Sequence, residues 1–161
     1  WKGIDFSMFW QGVAKRDLWL DGPMFWGISG GEWQSTGLKE HLDYYRPENT
    51  TSVFGPNTNA YFPKMYMSKD MNQKVQTRYL QNGAYARLKN IQLGYTFPTQ
   101  IINKLHMQKL RVYVSAENVL TITSLPSGFD PETTYSNYSD GNSGKTYPLQ
   151  TTISFGLNAT F

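Results

Sequence analysis

From Tyr147 to Phe161 the chain alternates between two kinds of residue, and that alternation limits what it can fold into. Every second position from the end is Phe161, Ala159, Leu157, Phe155, Ile153, Thr151, Leu149 and Tyr147, apolar or aromatic except for Thr151. The positions between them are polar or glycine, apart from Pro148. Successive side chains of a strand point to opposite faces, so this pattern predicts a strand with one oily face and one wet face. A stretch of 15 residues is long for a globular strand, which typically has about 5–6. It is long enough to cross a bilayer, which takes roughly 9–11 tilted residues.

Three more segments alternate in the same way. In residues 1–13, Ile4, Phe6, Met8 and Trp10 share a face against Gly3, Asp5, Ser7 and Gln11, with Phe9 as the exception. In residues 79–97, Ile91, Leu93, Tyr95 and Phe97 oppose Asn90, Gln92, Gly94 and Thr96. Leu88 falls on the polar parity, and a bulge near Arg87–Asn90, or emergence from the membrane there, would account for the slip. In residues 110–123, Leu110, Val112, Val114, Ala116, Leu120 and Ile122 share a face interrupted by Asn118. The connection at 98–109 is short, and Pro98 can open one helical turn there. The connections at 14–78 and 124–146 are long and full of turn residues such as Asp21-Gly22-Pro23 and Gly55-Pro56-Asn57.

Four amphipathic strands left as an open sheet would expose two edges and an oily face, a template for aggregation. The remaining sequence supplies no second set of matching strands. Closure into a larger transmembrane barrel, oily face toward lipid, solves both problems. The predicted fold class is therefore all-β: antiparallel strands at about 1–13, 79–97, 110–123 and 147–161, long extracellular loops at 14–78 and 124–146, and a periplasmic turn at 98–109. In that frame Arg111, Glu117, Gln92, Gln150 and Asn158 face a watery lumen. Aromatic girdles are expected at Tyr95, Phe97 and Phe161 on one side and at Trp10 and Tyr147 on the other. The competing reading is a soluble, aromatic-rich β domain that binds glycans. A chain that opens at Trp1 inside a strand-like pattern is expected to be a fragment of something longer.

Composition narrows the function classes. A mean hydropathy of −0.52 and no long apolar run count against spanning helices. There is no cysteine, which removes disulfide frameworks and thiolate chemistry. A net charge of +3, dispersed along the chain, is too mild for a nucleic-acid footprint, so no nucleic-acid partner is expected.

Motifs that could carry chemistry are weak. Gly27-Ile28-Ser29-Gly30-Gly31 matches the nucleophile-elbow pattern but lacks the strand before it and the helix after it. Asp130 and Glu132 lie two apart in a loop, which is no catalytic carboxylate pair. Asp130-Pro131 reads better as a turn initiator. His41 and His106 have no metal-ligand spacing. The triplets at Asn49, Asn137 and Asn158 match a glycosylation pattern that is common by chance. No catalytic residue, metal ligand or cofactor is expected. Aromatic residues crowd the long loop. Trp19, Trp26, Trp33, Tyr44 and Tyr45 are candidate ligand or partner contacts, since such side chains dominate interfaces. Packing of the loop onto itself stays open as the alternative.

The residues also resemble a known family. GAYARLKNIQLGYTFP (83–98), LRVYVSAENVLTIT (110–123), SGFDPE (127–132) and YPLQTTISFGLNATF (147–161) are similar, in order, to blocks of SusC/RagA-type TonB-dependent outer-membrane transporters. IDFSMFWQGVAKRD and YYRPENTTS resemble earlier blocks of the same family. Ala86 departs from the usual large residue, and 17–40 matches nothing recognisable. The resemblance implies the last four strands of a barrel of about 22 strands with a plugged lumen. The plug and the earlier strands would lie outside this chain. It also implies a non-enzyme in the outer membrane of a Gram-negative bacterium, of the Bacteroidota. Such a protein imports an oligosaccharide or peptide with a SusD-like surface lipoprotein, and TonB acts through the plug. Phe129 and Asp130, in the SGFDPE block, join the candidate contacts. Phe161, Ala159, Leu157, Phe155 and Ile153 resemble the terminal signal read by the barrel-assembly machinery.

Overall fold

A computed structural model of the chain describes residues 2–30, 37–66, 71–134 and 144–161. Its strands, in chain order, are β1 (Ile4–Val13), β2 (Asp17–Trp19), β3 (Leu80–Asn82), β4 (Tyr85–Thr96), β5 (Lys109–Thr123) and β6 (Thr152–Thr160). Single-turn helices occur at α1 (Pro23–Trp26) and α2 (Thr99–Ile102). The residues group into two compact units. One comprises 1–16, 83–124 and 149–161, the other 17–82 and 125–148.

The first unit is a four-stranded antiparallel sheet in the order β1-β4-β5-β6. Its register stacks like with like. One face carries the rows Ile4–Tyr95–Val112–Leu157, Phe6–Leu93–Val114–Phe155 and Met8–Ile91–Ala116–Ile153. The opposite face carries Asp5–Gly94–Tyr113–Gly156, Ser7–Gln92–Ser115–Ser154 and Phe9–Asn90–Glu117–Thr152. The apolar face is not packed away within the chain. Phe6 is 58% exposed and Phe155 83%. An apolar surface of this extent on an extended sheet needs a partner medium or molecule.

The polar face is held by contacts that use its glycines as space. Arg111 donates to both carboxylate oxygens of Asp5, reaching from β5 to β1 across Gly94, where a Cβ would collide with both side chains. The Tyr113 ring lies over Gly156, so that a Cβ there would overlap the ring.

Two irregularities explain why the alternation lost phase. Between β1 and β4, Phe9 pairs with Asn90 and Trp10 with Leu88, so Lys89 is an extra residue. Between β4 and β5, Leu88 pairs with Leu120 and Asn90 with Glu117, so Asn118 and Val119 together oppose Lys89. Asn118 has φ 52, a left-handed conformation that asparagine tolerates better than most residues. The bulge returns Trp10, Leu88 and Leu120 to the same face as Met8, Ile91 and Ala116.

The strand bounds differ from the expected ones in two places. Regular strand structure at the end of the chain covers Thr152–Thr160 rather than all of 147–161. Pro148 lacks a ladder donor. Above Thr152, side chains replace the ladder: Asn118 Nδ2 donates to Gln150 O, and Thr151 Oγ1 donates to Asn118 O. The segment 79–97 divides into β3 and β4 at Gly83–Ala84, and the two strands belong to different sheets. Trp1 lies outside the described residues. The connection 98–109 contains α2 followed by a 3-10 turn over Asn103–Leu105, with Ile102 buried. Tyr95 and Phe97 meet edge to face at 5.0 Å beside it.

Candidate functional site

The second unit holds the aromatic residues that the sequence singles out. Its base is a small sheet in which β2 pairs with β3, Asp17 to Asn82 and Trp19 to Leu80. Gly22 and Pro23 then turn the chain into α1, where Phe25 and Trp26 both donate their backbone N–H to Gly22 O. That turn drives Phe25 and Trp26 inward. They form a buried cluster with Leu20, Phe62 and Tyr79, with Trp19, Tyr44, Tyr61 and Phe129 packed against it. Trp26 is 2% exposed and meets Tyr79 at 4.8 Å and Phe25 at 5.0 Å, both edge to face. Such pairs add about 0.5–1.5 kcal/mol each beyond the area they bury. The Tyr79 hydroxyl donates to Tyr61 O. Burial pushes its phenol up, against the lowering effect of the Arg78 hydrogen bond.

The middle of the long loop is fastened by Arg46 and His41. Arg46 is 8% exposed. Its Nε donates to Gly55 O at 2.6 Å and its Nη1 to Leu42 O at 2.8 Å. Its guanidinium lies 4.7 Å from the Tyr44 ring and 5.9 Å from that of Phe54. The buried His41 accepts from Leu38 N–H on Nδ1 at 2.9 Å, which puts the ring proton on Nε2, donated to Phe25 O at 3.0 Å. The ring sits under Gly27, where a Cβ would come within 2.8 Å of Nδ1.

Beside the cluster is a cavity of ≈ 540 Å³ walled by Phe25, Phe62, Phe129 and Tyr61, with Glu40 and Asp43 contributing carboxylates. Asp43 is fixed by Asn57 Nδ2 at 2.9 Å and Tyr61 N–H at 3.1 Å.

The predicted contact residues therefore fall in different places. Phe129 lines the cavity. Trp19 and Tyr44 are partly buried against the cluster, and Trp26 is inside it. Tyr45 is exposed. Asp130 Oδ1 accepts from Glu132 N–H at 2.8 Å, the turn-capping role open to an Asp-Pro step. Trp33 lies outside the described residues. Leu157, Phe155 and Ile153 are exposed on the apolar face of the sheet, Phe161 is exposed just past the end of β6, and Ala159 pairs with Leu110. Arg46 carries no expectation from sequence, His41 is weighed there only as a metal ligand, and Phe62 is one of the aromatics that crowd the long loop. Little in the sequence marks Arg46 or His41, because their partners are backbone groups, which any residue type supplies, and two of them, Gly55 O and Phe25 O, lie 9 and 16 residues away.

Of the Gly27–Gly31 pattern, Gly31 lies outside the described residues. The nearby His41 has both ring nitrogens occupied by backbone groups. Among the described residues no group of three or more metal-ligating side chains assembles. None of the described helices is long and apolar enough to cross a membrane, which leaves spanning by strands untouched.

A similar fold is found in part of a solved peptide importer. The structure of the RagAB peptide transporter superposes on the whole chain with a TM-score of 0.69 at 24% identity, using 16% of that chain. The open-open state of the RagAB peptide importer gives 0.64 at 23%. These are likenesses of fold. Sequence comparison goes further. The chain is 36% identical over its whole length to TonB-dependent receptor P3 of Formosa agariphila, and 26% identical to TonB-dependent receptor P26 of the same organism. The chain belongs to the TonB-dependent receptors, in line with the SusC/RagA-type motifs it carries. It spans about 15% of the length of the curated relatives it matches. No family model matches it.

Proposed function

We propose that this chain forms the closing wall and two outer loops of a barrel of about 22 strands. The whole receptor imports a nutrient, an oligosaccharide or peptide, across the outer membrane of a Gram-negative bacterium of the Bacteroidota. A SusD-like surface lipoprotein cooperates from outside, and TonB acts through a plug that lies beyond this chain. The free edges of β1 and β6 pair with the remaining barrel strands. The observation that carries this reading is the set of exposed apolar rows running across all four strands. A continuous face of that kind suits lipid hydrocarbon and would be a liability in water.

On this reading Trp19, Tyr44, Tyr45, Phe129 and Asp130 belong to the outer loops that meet the lid or the substrate. Trp33 joins them as a candidate from sequence. Trp26 contributes by holding the loop fold. Phe161, Ala159, Leu157, Phe155 and Ile153 form the assembly signal. Deleting Phe161 should lower the amount of receptor reaching the membrane more than the transport rate per assembled molecule. Equal loss of both would contradict that role.

The test of the whole reading is a cysteine scan along 152–160 in full-length receptor in membranes, read with a lipid-soluble and a water-soluble thiol reagent. Odd-numbered positions should react with the first and even-numbered with the second. A scan without period two sinks the barrel assignment. Uptake that persists without TonB sinks the energised-transport assignment.

A further inference from the structure

We propose that the cavity beside Phe129 is a subsite for a lysine or arginine side chain of a peptide substrate, an assignment that rests on the import reading above. Three properties of the cavity lead there. Its walls are the π faces and edges of Phe25, Phe62, Phe129 and Tyr61, which suit an alkyl stem and attract a cation at its end. Its charge is of one sign. Among the described residues Glu40 and Asp43 line it and no lysine or arginine does. Among them, too, the Asp43 carboxylate accepts from neutral donors, the Asn57 amide and the Tyr61 backbone, and from no cation. Glu40 has no side-chain hydrogen bond or ion pair among the described residues.

The third property is what the polar groups still offer. Gln81 Nε2 donates to the Tyr61 hydroxyl at 3.1 Å and to Tyr79 O at 2.7 Å, which leaves its amide oxygen as an acceptor. The His41 ring has spent both nitrogens on backbone. The cavity therefore presents two carboxylates, an amide oxygen and aromatic faces, with the Tyr61 and Ser127 hydroxyls as its small donors. A neutral sugar would leave the two carboxylates uncompensated, and an anionic ligand would be repelled by them. An apolar stem ending in an ammonium or guanidinium matches both the walls and the charge.

The experiment uses the full-length receptor purified in detergent and calorimetric titration with capped pentaglycine peptides carrying lysine, norleucine or glutamate at the centre. Lysine should bind roughly tenfold more tightly than norleucine at low salt, with the advantage shrinking at high salt, and glutamate should bind worst. Glu40→Gln should remove roughly fivefold of the lysine preference while leaving norleucine binding unchanged. Phe129→Ala should weaken lysine and norleucine together. Equal binding of lysine and norleucine, an unchanged preference in Glu40→Gln, or no binding of any peptide at millimolar concentration would each overturn the assignment. TonB-dependent uptake without a lysine preference overturns the subsite alone. A lysine preference without TonB-dependent uptake overturns the transport reading alone.

Discussion

Arg46 is the place where one substitution should release one part of the molecule. The guanidinium makes two hydrogen bonds, to the carbonyls of Gly55 and Leu42, which take no other side-chain donor among the described residues. It also lies within reach of the Tyr44 and Phe54 rings. Hydrogen bonds from a charged donor contribute about 1.5–3 kcal/mol each, and an exposed cation–π contact about 0.5–1. These terms are not additive, because the same ordered side chain serves all of them, so about 3 kcal/mol is a reasonable net loss for Arg46→Ala. That corresponds to a local opening equilibrium about a hundredfold larger. Hydrogen exchange by mass spectrometry on the full-length receptor reads this directly. The bridge between Arg46 and Asn57, with backbone bonds of 3.0 and 2.9 Å, should lose protection by about that factor, while β4 and β5 keep theirs. Arg46→Lys should fall between, since a lysine keeps the charge but cannot supply the planar fork. Exchange over 43–62 changing by less than about fivefold would show that the loop is fastened elsewhere. Loss of protection in β4 and β5 as well would show that the two units do not open independently.

Three further outcomes follow from the same geometry. Phe155→Arg should cost about 2–4 kcal/mol of folding stability in bilayers, while Ser154→Arg on the opposite face should be nearly neutral, measured by urea titration in vesicles. Gly156→Val should destabilise by about 1–3 kcal/mol because its side chain overlaps the Tyr113 ring, and Tyr113→Ala should restore part of that loss in the double variant. Trp26→Ala should cost about 3–5 kcal/mol within the loop unit, seen as faster proteolysis between 17 and 82 with the sheet strands left intact.

Much of the sheet was legible from sequence because its signal is local. Period-two alternation in 4–13, 85–96 and 110–123 depends only on which side faces oil, and the register rows reproduce it residue by residue. The slip at Leu88 was visible as a broken pattern. That Lys89 stands alone on β4 while Asn118 and Val119 pair up on β5 depends on three strands together. The loop unit was much less legible. Its order comes from contacts over long sequence separations, such as Arg78 Nη2 to Ala60 O and His41 to Phe25 O. No window of sequence contains both partners. Turn residues and aromatics advertised a folded loop without stating which rings would be walls and which would be core. Trp26 illustrates this, since a buried and a ligand-facing tryptophan read alike in sequence.

The bulge has a bearing on which length changes the sheet can accept. Across β1, β4 and β5 the number of residues between the Asn90 and Leu88 rows rises from none to one to two. Deleting Lys89 alone would give β4 an even stride and leave Leu88 and Ala86 on the oily face, because Leu88 would then directly precede Asn90 and stand two positions from Ile91. Deleting Asn118 and Val119 together would leave every remaining side chain of β5 on its present face. Related receptors should therefore differ in length at this level by pairs on β5, or by the single extra residue on β4, with the apolar positions of the sheet unchanged.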